Sequence, residues 1–169
     1  VDTPEGLEDV AAALRGPGPI AVDTESDSLH VYFEKVCFVQ IKVEQTIYLI
    51  DPLALENLDP LAAAMERDDA PKLFHGADYD VLCLSRDFGF RFGRIVDTMV
   101  AAQFLGRPNL GLAALCQDHF GVELDKSLTR HNWGQRPLKD IYLDYMADDV
   151  RYLAELADIL LGEVADADL

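Results

Sequence analysis

Apolar and polar positions alternate along this chain in two rhythms. Near the front they form short blocks, Ile20 to Asp23, Val36 to Val43 and Thr46 to Ile50, separated by turn-forming residues. Blocks of that length predict strands. Only Glu44-Gln45 separates the last two, so a tight hairpin joins them and the three strands are expected as an antiparallel meander. Further on the apolar spacing lengthens to three and four. Helices are predicted over Thr3 to Leu14, Leu53 to Arg67, Tyr79 to Phe88, Asp97 to Leu105, Leu110 to Phe120 and Leu138 to about Gly162, with short strands at Lys72 to His75 and Arg94 to Val96. Thr3 is a natural N-cap with Pro4 in the first turn, and Gly16-Pro-Gly-Pro19 stops that helix. A meander followed by α/β alternation predicts an α/β fold with helices flanking the sheet.

Four acidic positions stand at hydrophobic anchors. Asp23 and Glu25 are two apart at the end of the first strand block, so both carboxylates face one side of it. Asp80 follows the apolar run Lys72-Leu-Phe74 where a helix begins. Tyr145 and Asp149 are four apart in the last helical pattern and share one helix face. Ile141, Tyr142, Tyr145, Val150, Leu153, Leu156 and Leu160 form the inward stripe of that helix, while Asp140, Asp144 and Asp148 are expected in solvent. Gathered into one site, the four carboxylates would repel one another and resist ionisation unless divalent cations balance them. Oxygen-only donors select hard ions, Mg²⁺ or Mn²⁺ over Zn²⁺. Two such ions about 4 Å apart suit in-line phosphodiester hydrolysis. With 31 acidic residues in 169, an Asp-x-Glu triplet alone is expected about once by chance. The weight lies in the three motifs occurring in order, each on its own element.

At these residues the chain resembles the tyrosine-bearing branch of the DEDD superfamily of 3′-5′ exonucleases, and within it the ribonuclease D group. The likeness runs from about Pro19 to about Leu160. It is carried by Val22-Asp-Thr-Glu25, Tyr32 to Ile41, Leu49-Ile-Asp-Pro52, His75-Gly-Ala-Asp-Tyr-Asp80, Asp97-Thr98, Leu124-Asp-Lys-Ser127, Trp133, Arg136-Pro-Leu138 and Tyr145-Met-Ala-Asp-Asp-Val150. A sister branch carries histidine five residues before the last aspartate, where this chain has Asp144. The resemblance implies a ribonuclease H-like fold with a mixed five-stranded sheet flanked by helices. It implies that Asp23 touches two ions, that Glu25 and Asp149 complete the site of one, and that Asp80 helps hold the other. Tyr145 would orient the attacking water. The implied reaction is removal of nucleoside 5′-monophosphates from single-stranded RNA 3′ ends. DNA remains the alternative substrate, because the acidic motifs do not distinguish sugars; a catalytically silent interaction module is the rival from another class. Ribonuclease D carries helical nucleic-acid-binding domains after its nuclease domain. None follows residue 169, so one exonuclease domain over residues 1–169 is expected.

Composition changes the picture at two points. Half the residues are apolar, enough for one substantial core, and no apolar run or basic leader marks a membrane span or an export signal. A cytosolic protein is expected, with Cys37, Cys83 and Cys116 as reduced core residues. Nothing in the pattern specifies an oligomeric state. The net charge of −17 opposes a nucleic-acid substrate, and two divalent ions would offset only four of those charges. Local charge must then serve. Lys126, Arg130, Arg136 and Lys139 fall in the stretch 126–139, which contains no acid and includes Trp133. That stretch lies in the one long loop, Gly121 to Pro137. It is expected to follow the phosphate backbone through Lys126, Arg130 and Arg136 and to offer Trp133 to a base, unless Trp133 anchors the loop in the core. Leu29, His30 and Tyr32 could pack on the terminal nucleotide, or Tyr32-Phe33 could seat their loop in the core. His75 is either a substrate contact or a satisfied structural histidine. Asp97 reads as a helix cap, and Gln40 as a hydrogen-bonding member of the sheet.

Overall fold

A computed structural model describes residues 1–167. The elements run α1 (Pro4–Ala13), β1 (Ile20–Ser26), β2 (Val36–Val43), β3 (Thr46–Ile50), α2 (Asp59–Glu66), β4 (Lys72–Phe74), α3 (Ala77–Phe88), β5 (Ile95–Asp97), α4 (Thr98–Phe104), α5 (Leu112–Phe120), α6 (Asp140–Arg151) and α7 (Leu153–Asp166). The five strands form one mixed sheet in the order β3-β2-β1-β4-β5. Antiparallel pairing joins β1 to β2 and β2 to β3, while β4 pairs parallel with β1 and β5. The expected meander and five-stranded sheet are both present.

Strand alternation separates two apolar layers. Ile20 and Val22 of β1, with Val39, Ile41 and Val43 of β2, face a core built with α1, α2 and α3. Ala21 and Leu73 face the other way, onto Val150 of α6 and Leu153 and Ala157 of α7. Phe38 lies on that second side with Trp133 and Met146. A bulge interrupts β1/β2 pairing: Glu25 opposes Phe38 but Ser26 opposes Val36, leaving Cys37 as the extra residue. Cys37, Cys83 and Cys116 are free and buried, as expected. Among the described residues no helix is long and apolar enough to cross a membrane.

Several expectations need correction. The helix expected over Leu53 to Arg67 spans only Asp59–Glu66, with Pro60 in its first turn. Proline lacks the N–H and crowds the preceding turn, so it opens helices rather than occupying their middle. The single helix expected from Leu138 is two, broken at Tyr152 with φ −108° and ψ 0°. The break frees the Arg151 carbonyl to accept from buried Lys42 Nζ. Ile141, assigned inward, is 58 % exposed. Gln40 is fully buried and neither amide atom has a hydrogen-bond partner. β1 continues through Ser26, so Asp23 and Glu25 lie within the strand.

Candidate active site

The site forms where β1 outruns its parallel neighbour. Pairing between β1 and β4 is confined to Ile20/Lys72 and Ala21/Leu73. Two residues after β4 ends, Gly76 at φ +83° turns the chain into α3. A side chain there would strain the left-handed backbone and press a Cβ to 3.1 Å of Met99. Asp97 holds this turn, its carboxylate accepting from the N–H groups of Gly76 and Ala77 at 3.0 and 2.8 Å. It also caps α4 through Met99 and Val100, so the expected cap is only half of its role. The outcome is that Asp80, one turn into α3, faces the projecting end of β1.

Asp23 and Glu25 continue the face begun by Ala21, towards α6, and meet Asp149 there. One oxygen from each of the three carboxylates lies within 4.8 Å of the others. Asp80 stands outside that set, on α3, close enough for its charge to act on Asp23, Glu25 and Asp149. Thr24, whose side chain points opposite to those of Asp23 and Glu25, donates its hydroxyl to Asp80 Oδ1 at 2.5 Å. The structure thus unites three predicted residues directly and brings the fourth alongside through Thr24. Asp148 turns away and accepts from Arg151 Nε at 2.7 Å.

Electrostatics fit a cation site. Burial, then the charges of Asp80, Asp149 and Glu25, holds Asp23 well above the ordinary carboxylate range. Glu25 is pushed up to about 9 by burial and by Asp149 and Asp80. Asp149 rises to about 7 through burial, Asp148 and Asp80. Asp80 reaches about 6 through burial, held back by the Thr24 hydrogen bonds. A hard divalent ion with oxygen ligands at about 2.1 Å needs those oxygens roughly 3 to 4 Å apart, so the observed spacing suits it with little movement. Its charge would also remove the repulsion that now favours protonation.

Tyr145 borders the cluster. Burial first, then the Asp149, Glu25 and Asp23 charges, pushes its phenol up to about 12. Its hydroxyl lies 3.4 Å from Thr129 Oγ1, and its ring packs against Trp133 at 5.7 Å. Trp133 is 2 % exposed and packs edge-to-face with Phe38 and Tyr142, so the base-stacking role is corrected: it anchors the loop and backs Tyr145. Arg136 is corrected too. Its guanidinium binds both Asp51 oxygens at 2.7 Å, reaches the Trp133, Gln135 and Cys37 carbonyls, and stands 4.2 Å over Phe38. Little of it remains for phosphate.

His75 is tied to the start of α4. The Thr98 hydroxyl donates to the Phe74 carbonyl at 3.0 Å, so it accepts from His75 Nδ1 at 2.9 Å; Nε2 is buried without a partner. Burial lowers its pKa and keeps it neutral. Lys126 and Arg130 remain exposed, with no ion pair among the described residues. Leu29 and His30 are exposed on the β1–β2 loop, and His30 Nε2 lies 3.2 Å from the Arg130 carbonyl. Thr24 and Thr129 were missed. Strand alternation placed Thr24 on the α3 side, which was signal enough; Thr129 lies in an irregular loop whose path no periodicity gives.

Comparison with known proteins decides what this centre belongs to. The sequence matches the 3′-5′ exonuclease family over residues 1–165. The chain belongs to the ribonuclease D-like 3′-5′ exonucleases. It is 39 % identical to ribonuclease D of Haemophilus influenzae over 160 residues, which cover 94 % of this chain and 40 % of that protein. The catalytic core of RRP6 from Trypanosoma brucei superposes with a TM-score of 0.93 at 30 % identity, covering 99 % of this chain and 47 % of that one. RNase D of Escherichia coli, described as an exoribonuclease involved in structured RNA processing, gives 0.91 at 30 % identity, covering 99 % and 45 %. The chain therefore spans less than half the length of these ribonuclease D-like relatives. The five-stranded mixed sheet is the exonuclease fold of this family, as the resemblance implied.

Proposed function

We propose that this exonuclease domain trims single-stranded RNA from its 3′ end, releasing nucleoside 5′-monophosphates. The convergence of Asp23, Glu25 and Asp149 beside Tyr145 carries the reading. The ribonuclease D-like relatives support RNA over DNA. Asp23, Glu25 and Asp149 would hold one divalent ion, Mg²⁺ or Mn²⁺, and Asp80, steadied by Thr24, would help hold a second together with Asp23. When bound, the ions supply positive charge that keeps these carboxylates ionised and stabilises the charge developing on the phosphodiester.

The protein groups then position and exclude. Tyr145, with its proton retained at neutral pH, hydrogen-bonds the incoming water and fixes its direction of attack. A new bond joins that water's oxygen to phosphorus, and the bond from phosphorus to the 3′ oxygen of the preceding nucleotide breaks. The attacking water gives up a proton to solvent as its bond to phosphorus forms, and the departing 3′ oxygen takes a proton from solvent. Lys126 and Arg130 attract the strand's backbone, while Leu29 and His30 flank the terminal nucleotide. Incubating a 3′-hydroxyl RNA and its DNA counterpart separately with Mg²⁺ or Mn²⁺ tests this. Stepwise shortening from the 3′ end, faster on RNA, is expected. Faster loss of DNA would transfer the assignment to DNA, internal cuts would reject exonuclease action, and absence of cleavage would favour a silent module.

A further inference from the structure

The loop leaving β1 carries the most exposed aromatic surface among the described residues. Tyr32 is 93 % and Phe33 85 % exposed, with Leu29 and Val31 beside them. Of the two readings the sequence left open for this loop, seating in the core by Tyr32-Phe33 is the one the exposure removes. The two rings touch only each other, edge to face with centroids 4.9 Å apart, and no other ring or cation stacks on them among the described residues. Yet the loop is held at both ends. Buried Asp27 accepts from the Lys35 N–H at 2.9 Å, its carbonyl accepts from the His30 N–H at 2.8 Å, and Glu34 accepts from Tyr79 Oη at 2.7 Å. An exposed apolar cluster on a pinned loop is a feature that calls for a partner.

Its position identifies the partner. The loop starts two residues after Glu25, and His30 ties it to the carbonyl of exposed Arg130. At a net charge of −17, with Arg136 committed to Asp51, the protein offers few cations to a polyanion. A single strand presents a second handle, its base faces, and stacking on aromatic rings is tolerant of sequence and needs no charge. We propose that Tyr32 and Phe33 form a stacking platform for the bases immediately 5′ of the nucleotide being removed. The proposal rests on the exonuclease reading of the acidic centre. Substrate grip is then shared between stacking and a few exposed cations, Lys126 and Arg130 among them.

The test compares the unaltered protein with a Tyr32→Ala/Phe33→Ala variant on two probes: a five-nucleotide RNA, and thymidine 5′-(p-nitrophenyl phosphate), which reaches the acidic centre without neighbouring bases. The variant should raise KM for the oligonucleotide about tenfold, leave kcat within about twofold, and hydrolyse the small ester at the original rate. Tyr32→Trp/Phe33→Trp should restore KM, whereas Tyr32→Leu/Phe33→Leu should not. An unchanged oligonucleotide KM in the alanine variant overturns the platform, as does full rescue by leucine. Loss of self-association in sedimentation with KM unchanged would reassign the rings to a protein contact. If the unaltered protein cleaves neither probe, the exonuclease reading itself falls and the platform with it; cleavage of both by protein and variant alike removes the platform alone.

Discussion

Thr24 donates its hydroxyl to Asp80 across 2.5 Å, linking the strand that carries two of the acidic residues to the helix that carries the second motif. The bond holds Asp80 in place and favours its ionised form. Without it, burial would raise that carboxyl further above its position of about 6. Thr24→Val keeps the shape and deletes the donor. Hydrogen bonds to charged groups are worth roughly 1.5–3 kcal/mol, so turnover at limiting Mg²⁺ should fall about tenfold or more. Thr24→Ser should recover most of it. Equal activity of the valine and serine variants would show that Asp80 needs no such support.

The same raised carboxyls make a pH prediction. Asp80 at about 6, Asp149 at about 7 and Glu25 at about 9 all lie above the roughly 4 of an unfolded chain. Groups raised on folding contribute stability that is fully present below about pH 4 and lost as pH climbs through their folded values. The metal-free protein should therefore melt at progressively lower temperature from about pH 5 to about pH 9. Saturating Mg²⁺ or Mn²⁺ should flatten much of that decline by binding the native state. Asp23→Asn should raise the metal-free melting temperature at about pH 8, since it removes a buried acid that its neighbouring carboxylates disfavour, while abolishing hydrolysis. Calorimetry in chelator and in metal decides; coincident profiles would leave the carboxylates as a structural cluster.

What the chain disclosed follows from how local its signals are. Strand bounds were legible because Val36 to Val43 and Thr46 to Ile50 are bounded on both sides, and the observed strands match them residue for residue. Asp23, Glu25, Asp149 and Tyr145 were legible because period two and period four each place a pair on one face. The break at Tyr152 was not, because the inward stripe passes from Val150 to Leu153 without losing phase. Pro60 did carry a boundary signal that the longer apolar pattern obscured. Trp133 and Arg136 could not be placed from composition, since a basic aromatic stretch looks alike whether it meets RNA or folds against Phe38 and Asp51. Gln40 defied its expectation because a side-chain hydrogen bond depends on what lies opposite in space, and neither of its amide atoms finds a partner.

That distinction divides the basic loop into two kinds of arginine. Arg136→Ala removes a bidentate pair with Asp51 and three carbonyl contacts, so it should cost about 1–3 kcal/mol of stability and affect activity through the loop's order. Lys126→Ala/Arg130→Ala should leave stability within about 0.5 kcal/mol. Its effect should appear instead in the salt dependence of single-strand binding, reducing the slope of log K against log salt by about 1.4 for two lost phosphate contacts. Binding measured with Ca²⁺ over a salt series separates the variants. An unchanged slope would confine Lys126 and Arg130 to a solvated surface.

Tyr145 supplies the sharpest test of how the centre works. Its phenol, pushed up to about 12 by burial and by the neighbouring carboxylates, stays protonated across the working range. It can orient water by hydrogen bonding but cannot serve as a base at neutral pH. Tyr145→Phe keeps the ring that packs on Trp133 and deletes only the hydroxyl. kcat should fall on the order of a hundredfold while KM and metal affinity move little, because the lost contact acts on water in the transition state. Thr129→Val should give a smaller loss in the same direction, since the 3.4 Å contact steadies the hydroxyl without creating it. Tyr145→Phe combined with Thr129→Val should then be no worse than Tyr145→Phe alone, as a threonine that acts only through the phenol has nothing left to position. Additive losses in that cycle would give Thr129 a role of its own at the substrate.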